Sequence, residues 1–72
     1  MDKKIILRNI FSLSFAGEVV AVELDGKEGV LLKPSDRSEM KIWCPKEEIK
    51  LILMPDGRET TVEVMKNEFG IE

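Results

Sequence analysis

Few side chains in this sequence have the chemistry of a catalyst. The chain of 72 residues contains neither histidine nor tyrosine, so the commonest general base and a frequent proton donor are both missing. Its one cysteine, Cys44, stands directly before Pro45 in an apolar run, where a thiol is more often a small buried hydrophobe than a nucleophile. Ser12, Ser14 and the other serines have no candidate base at a recognisable spacing. We therefore predict that the protein is not an enzyme.

The acidic residues also lack the spacing of a catalytic or metal site. Glu47 and Glu48 are adjacent, and paired glutamates on a short turn are typical of a solvated surface. Residues 36–39 lack the alternating oxygen ligands and the glycine of a calcium loop. A single cysteine without any histidine cannot form a zinc site or an internal disulfide. No metal and no cofactor are predicted.

Trp43 is the side chain best suited to binding a partner. It is the only tryptophan, and the sequence around it alternates between apolar and charged residues. An exposed tryptophan beside charged residues is a common interface anchor, but Trp43 can equally pack under the 35–38 loop or the N-terminal arm. If the stretch is a strand, Met40, Ile42 and Cys44 face the core, and Glu39, Lys41 and Trp43 face outward.

The favoured function is that of a non-catalytic interaction or regulatory module with a protein partner. Outward-facing Ile52 and Met54 would widen the surface around the tryptophan. A second copy of the chain is one candidate partner, through this face or through an open edge of the first strand. The predicted partner-binding residues are Trp43, Lys41, Arg37, Glu39 and Ile52.

The alternative function is that of a nucleic-acid-associated regulator. Trp43 could stack on a base, with Lys41, Arg37 and Lys33 near the phosphates. The balance of charge is against it, because 11 basic and 14 acidic residues give a formal net charge of −3. Such a chain has no overall positive field to attract nucleic acid, so this function ranks second.

The first half of the chain has the pattern of strands. Residues 4–8 and 11–15 are rich in isoleucine, leucine and phenylalanine, which favours extended structure, although the spacing of Ile6, Ile10 and Leu13 also fits a helix. Residues 18–24 predict a strand with Val20, Val22 and Leu24 on one face. Asp25-Gly26 predicts a type I′ hairpin turn into a return strand over 27–33, in which Gly29 marks a bulge or a close approach of backbone.

The second half of the sequence predicts three further strands after a polar loop over 34–38. Residues 39–44 form a strand, a short helical turn follows at 46–48, and residues 49–53 return with Ile49, Leu51 and Leu53 on one face. A helix over 45–53 also fits the proline and glutamates, but the turn at 54–58 favours a hairpin into a strand over 59–65. Residues 67–72 are predicted to be a C-terminal tail, which Phe69 and Ile71 could attach to the domain.

These elements predict an all-β fold, a small antiparallel barrel or rolled sheet of five to six strands in a single domain over 1–66. Residues 17–52 resemble an SH3-like barrel in their order: a strand opening with glycine, a hairpin, a polar loop, a strand, one helical turn and a closing strand. The resemblance implies a fold and leaves the function open.

The N-terminal apolar run partly imitates a signal peptide. Lys3 and Lys4 precede it, and Ser14, Phe15 and Ala16 end it. However, Arg8 and Asn9 interrupt the run, and the remainder is too short to span a bilayer. The lone thiol also suits a reducing compartment. We therefore expect a cytoplasmic protein without a membrane association.

Overall fold

Most of the chain is extended in the computed structural model, which describes residues 3–36 and 39–69. A one-turn 3₁₀ helix spans Lys46–Glu48, and a short α-helix, α1, spans Val62–Phe69. The strands are Lys4–Asn9 (β1), Ser14–Leu24 (β2), Lys27–Pro34 (β3), Ile42–Pro45 (β4), Ile49–Leu53 (β5) and Glu59–Thr60 (β6).

The strands form one antiparallel sheet of six strands in the order β4-β3-β2-β1-β5-β6. The predicted all-β character and strand number are confirmed. Because β4 and β6 are edges, the described strands form an open sheet and not a closed barrel. The expectation that the first strand has an open edge is wrong, since β1 pairs with β2 on one side and β5 on the other.

The hairpin between β2 and β3 forms as its turn residues predict. Asp25 and Gly26 have φ angles of 51° and 79°, the positive values that a type I′ turn requires. Within β2, however, the register shifts between Val19 and Ala21 and again between Ala21 and Glu23. Each irregularity changes which residues point inward.

The shifts in β2 overturn its predicted inner face. Val19 and Val22 are buried, whereas Val20 and Leu24 are exposed. A strict two-residue alternation cannot anticipate this pattern, because it assumes an uninterrupted ladder. The prediction that Val20, Val22 and Leu24 share the core face is therefore right only for Val22.

The 3₁₀ helix at Lys46–Glu48 and the strand after it confirm the predicted break between β4 and β5. The predicted inner face of β5 is right only for Ile49, which packs against the core. Ile52, only 2% exposed, pairs with buried Leu7, while Leu51 and Leu53 pair with exposed residues of β1 and are half-buried. Met54 is buried as well, so neither Ile52 nor Met54 faces outward.

The C-terminal segment differs most from the prediction. The strand predicted over 59–65 stops at Thr60, and α1 follows. Thr61 supports the start of the helix, because its Oγ1 accepts a hydrogen bond from the Val64 N–H at 3.3 Å. Residues 67–69 of the predicted tail belong to α1, and half-buried Phe69 packs against the core. Ile71 lies outside the described residues.

The core fills the space between the inner face of the sheet and α1. Met65 is completely buried and Val62 nearly so, and thus α1 closes an end of the core that the strands leave open. The buried apolar residues are Ile5, Leu7, Val19, Val22, Val30, Leu32, Cys44, Ile52, Met54, Val62 and Met65.

Candidate functional site

Trp43 lies on the outer side of the edge strand β4. It pairs with half-buried Leu31 of β3, while the next pair along, Cys44 with Val30, is buried. This agrees with the predicted alternation, although β4 begins only at Ile42 and Met40 is exposed, so Met40 does not join the core.

The indole of Trp43 is half-buried because it packs over Gly29. A Cβ atom placed on Gly29 would lie 2.7 Å from the Trp43 Cη2 atom and 2.8 Å from Cζ2. The predicted close approach at Gly29 is confirmed, because both the Cys44 carbonyl oxygen and the indole of Trp43 lie against this glycine. Trp43 is therefore held in a fixed position on the surface, with part of its ring open to solvent.

Lysines surround a shallow depression of about 680 Å³ near Trp43. Lys33 stands two residues after Leu31, and Lys41 stands two residues before Trp43. Lys3 completes the basic part of the lining, which also contains Glu18, Val19 and Val20. We call Trp43, Leu31, Lys33 and Lys41 the Trp43 face.

Two other basic side chains of the described residues, Lys46 and Arg58, take part in ion pairs. Lys46 in the 3₁₀ helix contacts Glu28 of β3 at 3.7 Å and also pairs with Glu63 of α1. The hydrogen bond from Lys46 holds the pKa of the Glu63 carboxyl below its usual range and raises the pKa of Lys46. These pairs join three elements of the fold.

Arg58 is likewise paired, with Asp56 at 2.6 Å and Glu68 at 4.0 Å. None of the ion pairs found within residues 3–36 and 39–69 includes Lys3, Lys33 or Lys41. These lysines thus form no ion pair within the described residues, although Glu18 stands opposite Lys33 in the ladder of β2 with β3 and lines the same depression.

Cys44 has the environment of a packing residue. It is buried, its thiol donates a weak hydrogen bond to the Pro45 carbonyl oxygen at 3.8 Å, and burial, followed by the charges of Glu48 and Glu47, raises its pKa. A thiol with a raised pKa stays protonated at neutral pH and is a poor nucleophile. Within the described ranges, no group of three or more acidic or cysteine side chains is arranged to hold a metal ion.

The remaining predicted site residues do not assemble around Trp43 as expected. Glu39 is exposed in the turn before β4, and Arg37 lies outside the described residues. Ile52 is buried in the core and cannot widen an exposed surface, because its position on β5 places it opposite Leu7.

The most exposed apolar side chains belong to the loop between β1 and β2, which the prediction treated as an extended piece. Ile10, Phe11 and Leu13 are 52%, 65% and 56% exposed. The alternation of Phe11, Leu13 and Phe15 imitates a strand, so the pattern alone gives little indication of a loop. The polar residue Asn9 before the run is the one available signal, because Asn favours turns.

The side chain of buried Asn9 organises this loop. Its Oδ1 atom accepts hydrogen bonds from the backbone N–H groups of Phe11 and Leu13, each at 3.0 Å. Ser12 takes a φ of 66°, and the Ile10 N–H donates to the Glu48 carbonyl oxygen at 2.9 Å. The exposed apolar residues are thus presented by a well-bonded loop.

Replacing Asn9 by alanine is expected to lower the free energy of unfolding by about 1–2 kcal/mol, because two partly buried N–H groups lose their acceptor. Urea unfolding followed by the emission of Trp43 measures the change. Asn67→Ala, at an exposed position of α1, serves as the control. Equal unfolding midpoints for the two variants would show that the Asn9 carbonyl does not hold the loop.

No helix within the part of the chain that the structure describes is long and apolar enough to cross a membrane. Comparison of the chain with protein-family models, with curated proteins and with solved structures yields no match. The function must therefore be inferred from the fold and from the surface around Trp43.

Proposed function

We propose that this chain is a non-catalytic interaction or regulatory module that binds a protein partner through the Trp43 face. The observation that carries the proposal is the half-buried indole, which packs over Gly29 on an edge strand. A preorganised aromatic side chain loses little conformational entropy on binding, and tryptophan is enriched among the residues that dominate interface energies. Leu31 adds apolar surface, and Lys33 and Lys41 supply a polar rim.

We further propose that the sheet is rolled in the manner of an SH3-like domain and that the protein acts in the cytoplasm. The order β4-β3-β2-β1-β5, with the 3₁₀ helix between β4 and β5, supports the roll. The two register shifts in β2 support it too, because such irregularities bend a strand and increase its twist. A second copy of the chain remains one possible partner of the module.

A nucleic-acid-associated role is the second candidate. The observation that favours it is the position of Lys3, Lys33 and Lys41 around one depression beside an aromatic residue. Stacking of a base on an aromatic ring contributes about 1–3 kcal/mol and tolerates any sequence. The net charge of −3 and Glu18 within the depression oppose phosphate binding, so we rank this role below protein binding.

Selection from a random peptide library on the immobilised protein tests the protein-binding proposal. Peptides bound by the wild type are expected to lose about thirtyfold or more in affinity with Trp43→Ala, the loss typical of an interface hot spot. Val64→Ala, which shortens an exposed apolar side chain of α1, is expected to change affinity less than about twofold. Amide spectra establish that both variants are folded.

One result would contradict the proposal, and a separate titration tests the second candidate. Selected peptides that bind Trp43→Ala as tightly as wild type would place binding elsewhere, for example on residues 10–13. Titration with a single-stranded oligonucleotide tests the second candidate: amide shifts around 41–44 at low salt, weakening as salt rises, would support it, and unchanged amides would exclude it.

A further inference from the structure

We infer that the partner bound by the Trp43 face is an acidic peptide segment that adds as a strand to the free edge of β4. The inference rests on the proposed function and specifies its partner. Three observations carry it: the edge position of β4, the lysines on the same outer face as Trp43, and the indole of Trp43 packed over Gly29.

The edge of β4 offers backbone hydrogen-bonding groups to a partner strand. Within the described residues, β4 pairs with β3 and with no other strand. In an antiparallel pair, alternate residues turn their N–H and C=O groups toward the neighbour, so the others point away from it. Pro45 has no N–H to donate and ends the usable edge. An extended peptide can therefore pair along residues 42–44, the mode of recognition called strand addition.

The lysines on the outer face next to β4 select an acidic segment, since Lys41 directly precedes β4 and Lys33 lies on β3, the neighbouring strand. Lys3, Lys33 and Lys41 line the depression with one carboxylate, Glu18, in a protein whose overall charge is negative. A segment with Asp or Glu at alternate positions would place its carboxylates on the same side as these lysines, since alternate side chains of a strand share a face. An apolar residue at one of the positions on this same face would have the indole of Trp43 as a neighbour, because Trp43 shares the outer face with the lysines.

Two other occupants fit the same edge less well. Because β4, Ile42–Pro45, contains no acidic residue, a second copy that paired its own β4 with this edge would place no carboxylate near the lysines within the ladder. A nucleic acid has no backbone that can extend a β-ladder, and its phosphates would meet Glu18. An acidic peptide can form both backbone hydrogen bonds with the edge of β4 and ion pairs with the lysines.

A comparative library selection tests the inference. Peptides selected on the wild type are expected to be rich in Asp and Glu, whereas the double variant Lys33→Glu/Lys41→Glu is expected to bind them about tenfold or more weakly. The double variant Lys27→Glu/Lys50→Glu makes the same change of charge at two exposed lysines outside the Trp43 face. It is expected to bind these peptides within about threefold of the wild type.

A second measurement tests strand addition itself. In the complex, amide hydrogen exchange of Ile42, Trp43 or Cys44 is expected to slow, and a selected peptide with proline at alternate positions is expected to lose about tenfold in affinity, because proline cannot donate to the ladder. Trp43 emission reports binding directly, since the chain has no other tryptophan and no tyrosine.

The outcomes separate this inference from the proposed function. Peptides that require Trp43 but are neutral or basic would overturn the acidic partner while leaving the protein-binding module in place. Acidic peptides that tolerate alternate prolines would overturn strand addition. If a single-stranded oligonucleotide binds more tightly than any selected peptide, the partner is a nucleic acid and not an acidic peptide. If the protein dimerises and the peptides compete with dimerisation, the partner is a second copy of the chain.

Discussion

Replacing Met65 by alanine is expected to lower the free energy of unfolding by about 2–5 kcal/mol, the usual range for removing a large buried apolar side chain. Met65 has no exposed surface and joins α1 to the core beneath the sheet. A domain of this size has a stability of only about 3–5 kcal/mol. The variant is therefore expected to be largely unfolded at room temperature, as measured by circular dichroism and urea titration.

Two substitutions in α1 separate packing from helix propensity. Met65→Leu keeps most of the buried volume and is expected to cost less than about 1.5 kcal/mol. Val64→Ala removes a side chain that is 43% exposed, and is expected to change stability by about 0.5 kcal/mol or less. If Met65→Ala proves as stable as Val64→Ala, the helix does not close the core as we describe.

Replacing Gly29 by alanine is expected to cost about 3 kcal/mol and to move the indole of Trp43. The added Cβ atom would overlap the Cys44 carbonyl oxygen and lie 2.7 Å from the Trp43 ring. A backbone carbonyl in the neighbouring strand has little freedom to move, so the pairing of β3 with β4 must distort. Urea unfolding measures the loss, and a red shift of Trp43 emission measures the exposure of the ring.

The control for Gly29→Ala is Lys27→Ala, which changes an exposed residue of the same strand. It is expected to leave both the unfolding midpoint and the emission maximum almost unchanged. A Gly29→Ala protein with the emission of wild type would show that the ring does not rest on Gly29. The same variant is expected to bind the selected peptides less tightly, because the anchor of the Trp43 face is displaced.

The parts of the fold that short-range chemistry determines could be predicted from the sequence. Asp25-Gly26 between two apolar runs favours the positive φ angles of a tight hairpin turn, and the proline and glutamates at 45–48 favour a short helical turn. Gly29 was recognisable as either a bulge or a close approach of backbone, which are two usual reasons for a glycine within a strand, and the structure shows the close approach.

The parts that depend on distant contacts could not be predicted. The two register shifts in β2 depend on pairing with β3, and they reverse the face on which Val19 and Val20 lie. Val62 and Val64 alternate like strand residues, but burial of Val62 and Met65 on one side of a helix determines the outcome. The inner face of β5 was misassigned for a related reason: its register with β1 places Ile52, and not its neighbours, in the core.

The residues of the candidate site were also predicted correctly in part and incorrectly in part. Alternation correctly separated Trp43 from Cys44, but it included Ile52 in a surface that the residue does not reach. It also missed the loop over 10–13, because three apolar side chains on a turn have the same local pattern as a strand. The hydrogen bonds that Asn9 Oδ1 accepts, which distinguish the loop from a strand, form only in the folded chain.

The two ends of the sheet are unequal, and this affects how many partners one molecule can bind. At one end, β6 has only two residues, Glu59 and Thr60, before α1 begins. At the other end, β4 has four residues and ends at a proline. By the proposed mode of binding, a partner strand can pair with the longer edge at β4, whereas the two-residue edge at β6 is too short for a second one. Such a sheet favours complexes of one protein with one peptide and discourages the edge-to-edge stacking of copies that leads to fibres.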